Sequence, residues 1–187
     1  MLTEHTSKPH SSGAGGALVT RRQGREWALQ MLVQFDLNPP TALDEAIGAF
    51  WDYLTQIETD TLAEHPETKR VFTTTNPDRQ AALAEVRAFA EERVRGVLAE
   101  RDALDTQIEG FLRNWALYRL GTVERAALRM CAWELRHCPD IPAPILVNEA
   151  IDLAKFFSET RSGKFVNGVL DKLARSIRAP KAETWTV

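Results

Sequence analysis

Arg21, Arg22 and Arg25 crowd a short stretch near the start of the chain, and their side-chain chemistry is that of anion recognition. A guanidinium presents a planar fork of donors that binds phosphate oxygens two at a time and stacks on exposed bases, which suits single-stranded RNA. Their placement sharpens the point. The string that follows has helical periodicity, so the arginines occupy first turns, where the helix dipole favours carboxylates and disfavours cations by several tenths of a kcal/mol each. Arg21 and Arg25 stand at i and i+4 and share a face, with Arg22 about 100° away, so the three form a cationic edge. The alternative is a solvated helix start that Glu26 partly neutralises, and residue types alone leave the two readings open.

Catalytic chemistry has no comparable constellation. The sequence contains no glycine-rich phosphate loop, no nucleophile elbow and no His or Cys pair at metal-ligand spacing, so neither an enzyme, a metal site nor a cofactor is expected. Cys131 falls on an apolar helical face and reads as an inert core thiol. His137 reads as a helix-end cation helped by the C-terminal dipole. With 187 residues and two cysteines, the chain is long enough to bury a core without disulfide staples and fits a reducing cytoplasm. No apolar run approaches the length of a membrane span.

A net charge of −3 argues against a protein that coats nucleic acid indiscriminately. The charge is unevenly distributed. Residues 1–37 carry 4 basic and 3 acidic side chains, residues 38–118 carry 8 and 15, and residues 119–187 carry 11 and 8. A polyanion is still accommodated if the basic residues of the two ends meet on one face, because salt screens the acidic middle beyond about 8 Å.

The elements that must hold these residues read as helices throughout. Residues 1–19, rich in Ser, Gly, His and Pro, read as a disordered tail, and residues 179–187 as a second tail. Thr20 with Gln23 three residues on has the spacing of a capping box. Trp27, Ala28, Met31, Leu32 and Phe35 then give one apolar face, which Asn38-Pro39-Pro40 stops. A second helix runs through Leu43, Ile47, Trp51 and Leu54. Residues 59–79 lose periodicity and read as a long, mobile surface excursion, with a long helix resuming near Gln80. Gly96 within that helix predicts a break or a close packing contact.

Leu104 to Trp115 mark a further helix. Thr122 is placed to cap the next, and two more follow the prolines at 139, 142 and 144. In the last of them, Asn167-Gly168 is unfavourable by propensity and predicts close helix approach at Gly168. No strand alternation survives. The expected fold is all-α, a compact bundle of six to eight helices over residues 20–178, in one domain or two small helical subdomains.

Four blocks carry a family resemblance: RRQGREWALQMLVQFD in the first helix, VERAALRMCAWEL at 123–135, VNEAIDLAKFF at 147–157 and KFVNGVLDKL at 164–173. In this order and at these intervals the chain resembles the NusB family of transcription antitermination factors. The resemblance implies two small helical bundles and pairing with NusE, a small-subunit ribosomal protein that also serves transcription. It implies binding of the boxA sequence of nascent ribosomal RNA leaders, and entry into an antitermination complex on RNA polymerase.

By residue match, RNA contact falls on Arg21, Arg22 and Arg25, with Lys164 and Phe165 at the edge of the same surface. Glu124 matches an acidic position that faces the ribosomal protein. Gly24 stands where helix formers are usual in the family, and Val33 where an aromatic is common. The rival enzyme-related reading is a helical domain like the one attached to some RNA cytosine methyltransferases, without catalysis in this chain. An exposed amphipathic face serves either a homodimer or the heterologous partner.

Overall fold

The computed structural model describes residues 19–112, 116–158 and 163–178, with side chains left out at 163–165. Among these residues are seven α-helices, one 3-10 turn and no strand. They are α1 (Arg21–Leu37), α2 (Leu43–Glu64), α3 (Pro77–Ala99), α4 (Arg101–Glu109), the 3-10 turn (Leu117–Arg119), α5 (Thr122–His137), α6 (Ala143–Phe157) and α7 (Gly163–Arg178). The all-α expectation holds. Both proposed tails fall outside the described residues except at Val19, which packs against the core instead of belonging to a tail.

Helix α5 organises the rest, because α1, α3, α4, α6 and α7 all pack on it. Its sequence explains why. Ala126, Ala127, Leu128, Met130, Cys131, Ala132 and Leu135 are buried around the circumference, and the small residues let several neighbours approach at once. One connected core runs through all seven helices, so the two groups, α1 to α4 and α6 with α7, share α5 instead of holding separate cores.

The helix starts show which local signals were real. Thr20 Oγ1 accepts the Gln23 backbone N–H at 3.3 Å, as expected, but the return half of the box is absent because Gln23 Nε2 donates to Glu26 instead. The start of α5 differs from expectation. Thr122 is its first helical residue and Gly121 its N-cap, with no side-chain cap at all.

The stretch 59–79 is the main correction. Helix α2 continues to Glu64, and α3 opens at Pro77 behind an Asn76 cap whose Oδ1 accepts the Arg79 N–H at 3.1 Å. The connection is therefore only 65–76, and it is tied down. The buried Glu58 carboxylate accepts backbone N–H groups of Val71, Phe72 and Thr73. Phe72 then packs on Trp27 with ring centroids 5.4 Å apart, while the Arg87 guanidinium lies over both Trp51 and Phe72. Burial pushes the Glu58 carboxyl up, but the three backbone donors outweigh it and hold the group below its ordinary value.

Two glycines mark close approach. A Cβ at Gly96 would overlap the Trp133 indole, so α3 and α5 meet in contact there without any break in α3. At Gly24 a Cβ would come within 2.7 Å of Phe89, which makes this glycine the point where α1 sits down on α3, not a loosened turn. Gly168 is the reverse case. Among the described residues nothing lies within 4 Å of its would-be Cβ, and they do not make the expected close approach.

Candidate nucleic-acid interface

Arg21, the first residue of α1, is exposed, and its guanidinium lies 5.6 Å from the centroid of the Phe89 ring on α3. It has no carboxylate partner among the described residues. Arg22, one third exposed, is paired twice. Its Nε donates to Glu26 Oε1 at 3.0 Å and its Nη1 to Glu149 Oε2, on α6, at 3.4 Å. Burial lowers its affinity for the proton, while the Glu26 hydrogen bond and the Glu149 charge more than restore it. The electrostatic penalty of a cation at this helix start is thus met for Arg22 from inside the molecule.

Arg25 departs from expectation altogether. It is only 5% exposed, and its Nε donates to both oxygens of Glu134 on α5, at 3.0 and 3.1 Å. The same carboxylate accepts from Arg93 Nε on α3 at 2.7 Å. Held this way, Arg25 locks α1 onto α3 and α5, with only its Nη1 outside the Glu134 pair, 4.0 Å from Glu149. Its periodicity with Arg21 concealed this, because the burying face comes from two distant helices.

The Phe89 ring lies beneath the arginines. Arg21, Arg25 and Arg93 all place their guanidiniums over it, Arg93 as close as 3.2 Å to the centroid. Nothing in the α3 sequence sets Phe89 apart from its other apolar positions. Glu149 and Glu134 were also missed as arginine partners, since nothing local in their strings signals a contact 109 to 127 positions away.

For Lys164 and Phe165 only the backbone is described, within the first turn of α7; their side chains lie outside the described residues. Their place along the bundle is nevertheless fixed by the ends of α5. Arg178, at the end of α7, donates to carbonyls of Leu135, Cys138 and Ile141, so α7 runs parallel to α5. Arg25 meets Glu134 near the end of α5, and Asp36 meets Arg125 near its start, so α1 runs antiparallel. The first turns of α1 and α7 therefore stand toward opposite ends of α5. One surface holding both has to be a stripe along the bundle, not a single spot.

Glu124 is buried to 4% exposure, and its Oε1 accepts the Ser158 hydroxyl at 2.7 Å. The first turn of α5 is thereby joined to the end of α6. The carboxylate braces this joint; Tyr118, in the 3-10 turn before α5, and Phe156, near the end of α6, are 75% and 72% exposed.

At the far end of α1, Asp36 is a second hub. It accepts from Arg101, Arg125 and Arg129, and Arg129 also forks onto both oxygens of Asp105. Burial pushes the Asp36 carboxyl up, but the hydrogen bonds from Arg125 and Arg129 outweigh it and hold it below the ordinary range. Cys131 is fully buried and its thiol is pushed far up by desolvation, which fits an inert core residue. His137 stacks on Trp133 and meets Glu100 at 2.6 Å in the last turn of α5. No group of three or more His, Cys, Asp or Glu among the described residues could hold a metal ion. No helix among them is long and apolar enough to cross a membrane.

A family model described as the NusB family matches residues 22–175, spanning every helix from α1 into α7. The chain belongs to the NusB family. Among its relatives, the transcription antitermination protein NusB of Bacillus subtilis is 38% identical over 159 residues, covering 85% of this chain and 98% of the relative. That of Myxococcus xanthus is 36% identical over 160 residues, covering 86% and 98%. A solved NusB from T. maritima is 27% identical with a TM-score of 0.63, covering 88% of this chain and 96% of that one. The NusB fold also recurs in a crystal structure of the antitermination factors NusB and NusE in complex with dsRNA, at 24% identity and a TM-score of 0.58, covering 83% and 96%.

Proposed function

We propose that this NusB-family chain is a transcription antitermination factor that binds boxA-type ribosomal RNA leader sequence together with the ribosomal protein NusE, within an antitermination complex on RNA polymerase. The observation that carries the reading is family membership across residues 22–175, shared with relatives that are transcription antitermination proteins. Within it, Arg21 and Arg22 supply the solvent-accessible cations at the start of α1. Lys164 and Phe165, in the first turn of α7, extend the contact as a phosphate ligand and a stacking ring. The protein acts in the cytoplasm, without catalysis, by presenting surfaces.

Glu124 serves the NusE face at the joint between α5 and α6, which its bond from Ser158 fixes. With few phosphate contacts available, the chain alone binds RNA modestly and loses affinity as salt rises. A bound NusE adds contacts and raises the effective concentration of the second site.

The test is an anisotropy titration of a labelled boxA-type RNA with the chain, with NusE, and with an equimolar mixture. The mixture should hold the RNA more tightly than either protein, and a scrambled RNA should not show the gain. A mixture no better than its components would refute the reading.

A further inference from the structure

The two accessible arginines of α1 are not equivalent. Arg21 is exposed over the Phe89 ring, whereas Arg22 is held by two carboxylates. Glu26 belongs to the same helix, moves with Arg22, and has its second oxygen occupied by Gln23 Nε2 at 3.1 Å. Glu149 comes from α6. It reaches across to Arg22 Nη1 at 3.4 Å and stands 4.0 Å from Arg25 Nη1, with its side chain 28% exposed. A phosphate that takes Arg22 Nη1 has to displace this carboxylate.

We propose that Glu149 is a negative determinant of RNA affinity: it holds Arg22 in a cross-helix ion pair that an incoming phosphate has to displace. The inference rests on the RNA-binding reading above. An anion entering at Arg22 competes with Glu149 for the same donors, and after displacement the two negative groups remain neighbours. Arg25 commits its Nε and Nη2 to Glu134, and its Nη1, 4.0 Å from Glu149, adds to the charge that keeps this carboxylate beside Arg22. Since both partners are partly solvated, the competition is modest in size, on the order of threefold in affinity.

Glu149→Gln keeps the shape and removes the charge. With NusE present and salt fixed, a labelled boxA-type RNA is titrated with the parent, Glu149→Gln, Arg22→Ala and the double variant. Glu149→Gln should bind about threefold more tightly than the parent, and the gain should vanish when Arg22 is alanine. Thermal melting of each variant checks that the fold is retained. Equal or weaker binding by Glu149→Gln overturns the proposal, and so does a gain that persists without Arg22, which would be a bulk-charge effect. A parent that holds no RNA would refute the function itself, an outcome distinct from a parent that binds and a Glu149→Gln that gains nothing.

Discussion

Arg25 of α1 and Glu134 of α5 form an ion pair that is almost wholly withdrawn from water, with 6% and 2% of their side chains exposed. Arg93 of α3 shares the same carboxylate, so two guanidiniums converge on one acid. Each guanidinium also has a second, more exposed acid: Arg93 Nη1 reaches Glu92 at 3.1 Å, and Arg25 Nη1 stands 4.0 Å from Glu149. The Phe89 ring lies against both guanidiniums, and Arg93 also donates to the Phe89 carbonyl at 3.0 Å. Three helices are fastened at this point, and the first turn of α1 hangs from it.

Removing the shared acid takes from two buried cations their one buried partner and leaves each only a more exposed carboxylate, Glu92 for Arg93 and Glu149 for Arg25. Glu134→Gln should therefore destabilise the chain by about 3–5 kcal/mol, in the range for breaking a buried pair from one side. Chemical denaturation followed by circular dichroism checks this. A loss below about 1 kcal/mol would mean that water reaches the arginines and that the pair does not hold α1 in place.

Glu58 and Asp36 give a pH dependence with a definite sign. Both carboxyls lie below their ordinary values in the folded chain, so the unfolded chain binds more protons through the acid range. Stability from these groups is complete above about pH 4 to 5, where the unfolded carboxyls have ionised, and is lost as pH falls through the lower folded values. Melting temperature should drop steeply on that side. Glu58→Gln should flatten the drop and free residues 71–73 to faster amide exchange, since three N–H groups lose a charged acceptor.

The contrast between these sites shows what was legible in the sequence. Helical periodicity, the Thr20 cap and the Pro39-Pro40 stop were local, and the structure keeps them. Asn76-Pro77-Asp78 carried an equally local start signal, a cap followed by proline, that the loss of apolar periodicity in 59–79 obscured. Glu58 could not be read at all, because a carboxylate that caps a loop thirteen residues later looks the same as a solvated one. At the interface, the cationic edge was half legible. Residue type and spacing find three arginines, but which of them is buried depends on Glu134 and Arg93, long-range partners that no window contains.

Three of the helical glycines, Gly96, Gly24 and Gly168, should answer substitution by alanine with different signs. Gly96→Ala drives a methyl group into the rigid Trp133 indole and should destabilise by about 1–3 kcal/mol, more than the gain in helix propensity returns. Gly24→Ala crowds Phe89 and should also destabilise, by less, because that ring is partly exposed and has room to shift. Gly168→Ala meets open space and should stabilise by about 0.5–1 kcal/mol. Thermal melts of the three variants read the order directly.

The arginines of α1 separate by the same logic. Arg21→Ala and Arg22→Ala remove accessible charges, and together should weaken RNA binding. The slope of log affinity against log salt should shrink by about 0.7 for each phosphate of a single strand that is no longer neutralised. Their melting temperatures should stay near the parent's, since Arg21 has no ion pair among the described residues and the Arg22 pairs are part-exposed. Arg25→Ala should do the opposite first. It leaves Glu134 with Arg93 alone, lowers the melting temperature, and weakens RNA binding only by disordering the helix that carries the other two. Its salt slope at a temperature where the fold persists should therefore match the parent's. A reduced slope at full stability would show that Arg25 leaves its buried carboxylate to meet RNA, and that the locked position is only one of two.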